Sequence, residues 1–148
     1  MHVDQINNRF LGYEKALQDH GIKFNKDIYT EIPFDSTDDN TNAQLMLLFE
    51  KNPKIDAVLF STNYLAIKGL LVLKLINKEI NDDFSIVAYD DHDVFKLHTP
   101  PISVVDQPIE EMAEKIIDVL LNELASASNT LIKKEASKII LQPKFIKR

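Results

Sequence analysis

Apolar residues along this chain repeat with two different periods, and stretches of the two kinds alternate. A spacing of three or four positions predicts amphipathic or buried helices, whereas short runs that are apolar almost throughout predict strands. The predicted helices cover residues 7–20, 41–52, 63–77 and 108–125. The predicted strands cover residues 27–32, 57–60, 84–89, 102–107 and 139–146. This alternation predicts a three-layer α/β fold, in which a parallel sheet carries helices on both faces.

Capping residues indicate where these helices begin and end. Asn7 or Asn8 is expected to cap the first helix, and Gly21 is expected to stop it. Thr41 is a suitable cap for the second helix, and the polar run 61–63 opens the third directly after a strand. The start of the third helix therefore lies at the carboxyl end of that strand.

Three polar residues, Arg9, Asn63 and Asp90, stand where a predicted helix begins or a predicted strand ends. In a parallel α/β sheet these positions share the edge where ligands bind. Asn63 and Asp90 converge there by geometry, with Phe60 beside them, whereas Arg9 joins them only if a strand precedes its helix. A guanidinium, an amide and a carboxylate at one edge suit a small polyhydroxylated or carbonyl-bearing molecule.

The choice of basic residues adds weight to Arg9. The chain has 15 lysines but only two arginines, Arg9 and Arg148. In a chain that otherwise uses lysine, an interior arginine suggests a need for its planar, five-donor fork. A surface salt bridge is the alternative interpretation of the same residue.

Composition places the chain among ordinary globular domains and excludes several functions. Its 148 residues are enough for one domain with a sizeable core, and 45% of them are hydrophobic. There is no cysteine, so disulfide and thiol chemistry are excluded. A net charge of −6 argues against binding of this chain by itself to the phosphate backbone of a nucleic acid. Neither a signal peptide nor a membrane-length apolar run is visible, and a cytoplasmic location is expected.

Other candidate sites in the sequence are weaker. The acidic run 90–93, which includes His92, has metal-binding residue types, but four adjacent residues rarely wrap one ion. The chain has no glycine-rich phosphate loop and no acid, base or nucleophile at useful spacing. We therefore expect no enzyme activity, no cofactor and no metal. The pair Lys133-Lys134 is interpreted as a solvated turn rather than a nucleic-acid patch.

Five stretches, in chain order, resemble the effector-binding part of LacI/GalR-family transcriptional regulators. The first is an Arg-x-x-Gly-aromatic helix, the second and third are strands with their following residues, the fourth is a Pro-Ile-Ser-Val-Val-Asp-Gln-Pro crossing, and the fifth is a closing strand. They cover residues 9–13, 53–58 (with Asn63 and Gly69 after it), 84–91, 101–108 and 143–148. Each motif alone is weak, but five in register identify the chain as a member of that family.

The resemblance implies a periplasmic-binding-protein-like fold and assigns roles to individual residues. Arg9, Asn63 and Asp90 match the effector-binding positions, and Phe60 falls where some members place an aromatic residue against the ligand. Residues 1–104 and 130–148 would form the C-terminal effector-binding subdomain. Residues 105–129 would be a crossover segment and a helix of an otherwise absent N-terminal subdomain.

The expected function follows from that resemblance. The chain would be the ligand-sensing module of a transcriptional regulator, binding a small molecule in a cleft between two subdomains. A sugar or sugar derivative is expected, and a purine, as in some members of the family, also suits the site. DNA would be bound only by a headpiece outside this chain, and a homodimer without membrane contact is expected. The alternative is a solute-binding protein of a sugar transport system, which shares the two-lobed fold. The helix over residues 108–125 is expected to dock against a second copy or to pack back on the sheet.

Overall fold

A computed structural model describes residues 4–80, 84–126 and 138–148 of the chain. Helices and strands alternate as the apolar periodicity predicts, although several ends differ. The helices are α1 (Asp4–Asp19), α2 (Asp38–Lys51), α3 (Asn63–Leu75), α4 (Asp93–Leu97) and α5 (Ile109–Ser126). The strands are β1 (Ala57–Phe60), β2 (Ser85–Tyr89), β3 (Ser103–Asp106) and β4 (Lys144–Ile146). The short helix α4 falls in a region that the sequence analysis treated as loop.

The strands form one four-stranded sheet in the order β1-β2-β3-β4. The first three are parallel, with Phe60 opposite Ala88 and Ala88 opposite Val104. The last strand is antiparallel to β3 and pairs Ile146 with Val104. The α/β fold class is therefore confirmed, with the difference that the closing strand runs against its neighbours. Of the predicted extended segment 139–146, only the last part forms a strand.

The hydrophobic core lies between one face of this sheet and helices α2 and α3. Alternate strand residues point into it, and the buried side chains include Phe60, Ala88 and Val104. Gly69 of α3 lies directly over the ring of Phe60, where a Cβ atom would stand 2.1 Å from Phe60 Cζ. The absence of a side chain at Gly69 thus allows α3 to lie close to the sheet.

The observed helix ends correct the cap expected for α2 and agree with the capping run 61–63 expected for α3. Thr37, not Thr41, caps α2 by accepting a hydrogen bond from the N–H of Asn40, and Thr41 is buried. Thr62 caps α3 by accepting from the N–H of Leu65, which leaves Asn63 as the first helical residue. These caps are as physically suitable as the predicted ones, because Thr is a good N-cap residue at either position.

Helix α1 also begins earlier than expected and ends as expected. It starts by Asp4, so Arg9 lies in its second turn rather than its first. Gly21 follows the helix with φ of 69°. Its N–H donates to Gln18 O at 3.0 Å, and that of Ile22 donates to Leu17 O at 2.8 Å. This pair of bonds is a Schellman motif, which confirms the glycine as the stop signal.

The predicted strand over residues 27–32 is wrong. Lys26–Ile28 is a 3-10 turn capped by Asn25, and residues 29–32 form no strand. A strand is held by ladder hydrogen bonds to a neighbour, and β1, the nearest edge of the described sheet, pairs only with β2. Ile32 still packs against the core, which explains the apolar signal in the sequence.

The second face of the sheet and helix α5 leave apolar surface open among the described residues. Leu59 and Phe145, on the face opposite the core, are 47% and 57% exposed. On α5, Ile116, Leu120 and Leu124 are between 56% and 70% exposed. Of the two alternatives expected for α5, packing back on the available sheet is therefore wrong, and docking against a second copy stays a prediction. The pair Lys133-Lys134, which was interpreted as a solvated turn, lies outside the described residues.

None of the described helices is both long enough and apolar enough to span a bilayer.

Candidate functional site

Arg9 and Asp90 meet at the carboxyl end of the parallel strands, although they are 81 positions apart in the chain. Arg9 Nη1 lies 3.4 Å from Asp90 Oδ2 and donates to the carbonyl oxygen of Ser61 at 2.6 Å. The Arg9 side chain is 12% exposed and that of Asp90 29%. Arg9 thus lies at this edge although no described strand precedes its helix. From the sequence, Arg9 was expected there only if such a strand existed.

The guanidinium of Arg9 stacks on the ring of Tyr89. The Cζ atom of Arg9 lies 3.8 Å from the centroid of the Tyr89 ring, a distance at which a cation is attracted to the ring face. Within the described chain, Arg9 makes its hydrogen bonds through Nη1 alone. Its remaining N–H groups are therefore free to bind a ligand oxygen, with the plane of the group fixed by stacking.

Asp90 has an unusual backbone conformation for a residue with a side chain. Its φ is 69°, in the left-handed region that costs most side-chain-bearing residues about 1–2 kcal/mol. Aspartate tolerates this region better than most residues, and the Asp90 N–H donates to Val105 O at 2.9 Å. Strained residues of this kind concentrate at functional sites. The turn projects Asp90 from the end of β2 toward β3 and Arg9.

Asn63 and Phe60 have different places in the structure. Asn63 is half-buried at the start of α3, two residues beyond the Ser61 carbonyl that binds Arg9, and its side chain makes no hydrogen bond to a described residue. It is available at the same edge of the sheet. Phe60 is only 5% exposed and packs in the core beneath Gly69. A direct ligand contact by Phe60 remains a prediction, and its burial argues against that contact.

Gln107 is a site residue that the sequence analysis did not single out. Its side-chain Nε2 donates a hydrogen bond to Asp90 Oδ1, the oxygen that Arg9 does not contact. An amide nitrogen must face the carboxylate here, because an amide oxygen would be repelled. The only signal in the sequence was that this glutamine lies within the crossing motif 101–108, just after β3.

The second aspartate after β2 has a structural partner instead. Arg148 donates to both oxygens of Asp91, at 2.9 and 2.6 Å, and also to Ile102 O at 3.1 Å. This bidentate hydrogen bonding lowers the pKa of the Asp91 carboxyl and raises the pKa of Arg148. Ser103 Oγ also accepts from the Arg148 N–H at 3.0 Å. Arg148 therefore fastens the end of β4 to the start of β3 and to the segment after β2, and its pair with Asp91 is separate from the Arg9–Asp90 cluster.

The run 90–93 does not gather around a common point. Asp90 and Asp91 bind different arginines, His92 caps α4 by accepting from the Val94 N–H, and Asp93 pairs with Lys96. Across residues 4–80, 84–126 and 138–148, no group of three or more acidic or histidine side chains is arranged to hold a metal ion.

Two shallow concavities lie away from the Arg9–Asp90 cluster. One is at the opposite, amino-terminal edge of the sheet, between Pro53 and Phe84. The other runs between α3 and α4 and is lined by apolar side chains, among them Leu70, Leu71 and Val94, and by as many polar ones. Neither includes Arg9, Asn63 or Asp90, so the candidate site is identified by its polar groups at the carboxyl edge of the sheet rather than by the depth of the surface.

Comparisons with known proteins agree with the fold and the motifs. The family model of the periplasmic binding protein-like domain matches residues 1–148. The chain is 29% identical over 119 residues to the HTH-type transcriptional regulator CelR of Thermobifida fusca, which covers 78% of the chain and 34% of the relative. It is 25% identical over 142 residues to the HTH-type transcriptional regulator DegA of Bacillus subtilis.

Solved structures give the same result. A CelR–cellobiose complex superposes with a TM-score of 0.78 at 25% identity, covering 93% of this chain and 40% of that one. A LacI-family regulatory protein from Chloroflexus aggregans gives a TM-score of 0.79 at 25% identity, covering 96% and 49%. The chain thus spans less than half the length of these relatives.

The chain belongs to the periplasmic binding protein-like domain family. Its relatives within that family are LacI-family transcriptional regulators, so the resemblance carried by the five sequence motifs is confirmed.

Proposed function

We propose that this chain is the effector-sensing part of a LacI-family transcriptional regulator, and that it binds a small polyhydroxylated molecule, a sugar or sugar derivative. The observation that carries the proposal is the Arg9–Asp90 pair at the carboxyl edge of the sheet. A carboxylate accepts from vicinal hydroxyls, and a fixed guanidinium donates to two oxygens at set spacing. The CelR relative with the same fold was solved with cellobiose.

Arg9, Asn63 and Asp90 would share the ligand. Arg9 offers its free N–H groups and Asp90 its remaining lone pairs, while the side chain of Asn63 is both donor and acceptor. Phe60 would support α3 from within the core, because it is buried beneath Gly69. No step of this binding requires a cofactor.

The rest of the sensing cleft would come from a second subdomain. We assign residues 1–104 and 130–148 to the subdomain described above, and residues 105–129 to the crossover and one helix of the other subdomain. Support comes from the exposed apolar side chains of α5, among them Ile116 and Leu124, which are suited to a covering partner. In a full-length regulator, effector binding would change how the two subdomains close and thereby alter DNA affinity at a separate headpiece.

We also propose that the regulator is a cytoplasmic homodimer that joins through the surface of α3 and α4. The concavity between these helices is flanked by exposed apolar side chains, including Leu71 (50%), Val94 (40%) and Leu97 (82%). Contiguous apolar surface of this kind marks protein–protein contacts. The alternative, a solute-binding protein of a transport system, has less support because the named relatives are transcriptional regulators.

A titration followed by nuclear magnetic resonance tests the sugar site directly. Isotope-labelled chain would be titrated with cellobiose and with ribose, and the amide signals of Arg9, Asn63 and Asp90 would be followed. We expect these signals to move with one of the sugars, and Asp90→Asn to weaken the apparent affinity about tenfold or more through loss of charge-assisted bonds. Sugar-induced shifts confined to other parts of the sheet would contradict the proposed site. Gln18→Met, an exposed change on α1, is the matched control.

A further inference from the structure

Two histidines stand at the ends of helix α4, and their rings need opposite protonation at Nδ1. At the start of the helix, His92 Nδ1 lies 3.2 Å from the nitrogen of Val94 and accepts its N–H. Because a backbone N–H can only donate, this Nδ1 is the unprotonated nitrogen of the ring. At the other end, His98 Nδ1 lies 2.8 Å from the carbonyl oxygen of Pro100, which can only accept. The Nδ1 of His98 therefore has a proton.

The two rings respond differently when the solution becomes acidic. An ordinary imidazole takes up a second proton near about pH 6.5, and both of its nitrogens are then donors. His98 keeps its hydrogen bond in that form. His92 loses its hydrogen bond, because no lone pair remains to face the N–H of Val94. The imidazolium also brings a positive charge to the unpaired N–H groups at the start of the helix, where a positive charge is unfavourable.

The charged groups that the structure describes around His92 do not offset this loss. Both of its neighbours in sequence are acidic, and Asp91 Oδ1 accepts the His92 N–H at 2.8 Å. Arg148, which follows β4, binds Asp91 at 2.6 Å. Lys96 binds Asp93 at 3.0 Å and lies 3.7 Å from Asp91. Because two cations already balance the two carboxylates, an imidazolium would gain little from either of them.

Helix α4 carries part of the surface that we propose for the dimer. Phe95 is fully buried and anchors the helix in the core. Val94 and Leu97 are exposed and flank the concavity between α3 and α4. Val94 lies in the first turn, and its own N–H is the one that His92 caps. Loosening of this turn therefore displaces apolar groups that a second copy would contact.

We infer that His92 is a pH-dependent cap of α4. Protonation of its ring loosens the first turn of the helix and thereby weakens the association of two copies through this surface. The association half of the inference rests on the proposed function, because it requires the dimer to form through α3 and α4. The capping half depends only on the geometry of α4 itself.

The protonation of the two rings provides the first test, and it needs no partner. In isotope-labelled chain at about pH 8, nuclear magnetic resonance distinguishes the protonated from the unprotonated nitrogen of each imidazole. We expect Nδ1 to be predominantly unprotonated in His92 and predominantly protonated in His98. A predominantly protonated Nδ1 in His92 would overturn the inference.

Amide hydrogen exchange of α4 tests the cap. Exchange of this helix would be measured by mass spectrometry at about pH 7.5 and about pH 5.5 and corrected for the intrinsic effect of pH on exchange. We expect the corrected exchange of wild type to be about fivefold faster in acid, the usual effect of a lost N-cap. Exchange that does not change with pH would contradict the cap.

Two variants separate His92 from other groups that titrate. Asn is an N-cap residue that does not titrate, so His92→Asn should make the corrected exchange independent of pH. His98→Asn is the matched change at the other end of α4, and it should keep the pH dependence of wild type. The opposite pattern in the two variants would overturn the inference. Thermal unfolding of His92→Asn close to that of wild type at neutral pH is the control for folding.

Sedimentation equilibrium at the same two pH values tests the association. We expect the dissociation constant of the wild-type dimer to rise about fivefold in acid and that of His92→Asn to rise less than about twofold. The net charge of −6 moves toward zero in acid, which by itself favours association, so it cannot produce the expected weakening.

The two proposals fail in different ways. If wild type is monomeric at both pH values, the proposed dimer is contradicted together with the association half of the inference, and the exchange of α4 still decides whether His92 is the cap. If wild type forms a dimer whose dissociation constant does not change with pH, although the exchange of α4 does, the dimer stands and the association half of the inference is wrong.

Discussion

Replacement of Gly69 by alanine tests whether Phe60 belongs to the core rather than to the ligand site. A Cβ atom at this position would stand 2.1 Å from Phe60 Cζ and 2.6 Å from Cε1, far inside van der Waals contact. The ring cannot move away freely, because Phe60 is 5% exposed and surrounded by core residues. Overpacking of this kind costs about 1–3 kcal/mol. We expect Gly69→Ala to lower the free energy of unfolding within that range.

Two other glycines of the chain provide matched controls with different expected signs. Gly12 lies inside α1 with nothing near a built Cβ atom, so Gly12→Ala should stabilise the protein by about 0.5–1 kcal/mol through helix propensity. Gly21 also has open space, but its φ of 69° disfavours a side chain, and Gly21→Ala should destabilise by about 1–2 kcal/mol. Only Gly69→Ala should be relieved by a second change, Phe60→Leu, which shortens the opposing ring.

Urea unfolding at equilibrium, monitored by circular dichroism, measures all four variants on the same scale. A loss of 1 kcal/mol corresponds to a fall of about 2–4 °C in Tm for a protein of this size, so thermal unfolding provides a second reading. If Gly69→Ala proved as stable as wild type, or if Phe60→Leu failed to relieve it, α3 would not lie against the Phe60 ring. The position of Asn63, at the start of the same helix, would then need revision.

Three further predictions follow from the site and its surroundings. Asn63→Ala should weaken sugar binding with little loss of stability, because Thr62 and not Asn63 caps α3. Thr62→Ala should lower the free energy of unfolding in urea by about 1 kcal/mol. An equal loss of stability in the two variants would contradict this assignment of roles. Asp91 has a lowered pKa in the folded state, so the stability that it adds is complete above its unfolded value of about 3.9 and is lost as pH falls through the folded pKa. Asp91→Asn should therefore lower stability at neutral pH and reduce its decline in acid, and parallel pH profiles of the two proteins would argue against the ion pair. Leu97→Asp on α4 should abolish the proposed dimer in light scattering while Leu120→Asp on α5 should not, and the reverse result would place the dimer contact on α5.

The sequence predicted the large elements because their signals are local. Apolar spacing at three or four positions identifies α2, α3 and α5, and the short apolar runs identify β1 and β2. The stop at Gly21 was also readable, since a positive φ after a helix is a local requirement of the backbone. The positions of Asn63 and Asp90 at the ends of neighbouring strands indicated the edge of the sheet where the candidate site lies, whereas the arrival of Arg9 at that edge depended on a strand that the sequence does not show.

Where the sequence analysis was wrong, the deciding partner lies far away in the chain. Residues 27–32 have an apolar pattern typical of a strand, but a strand needs a neighbour, and the described sheet ends at β1. The sequence pattern was correct about the hydrophobicity of this segment and incomplete about its neighbours. The ligand contact predicted for Phe60 stays a prediction, although the ring packs in the core beneath Gly69.

The sequence by itself determined the fold class, the order of the elements and the family, because these depend on periodicity and on motifs within a few residues of one another. Only the tertiary structure decided which polar groups meet. The left-handed backbone of Asp90 directs its side chain toward Arg9, and Asp91 pairs with Arg148 instead. Gln107 donates to the oxygen of Asp90 that Arg9 does not contact. These pairings are set by the twist and register of strands distant in sequence, which no local pattern encodes.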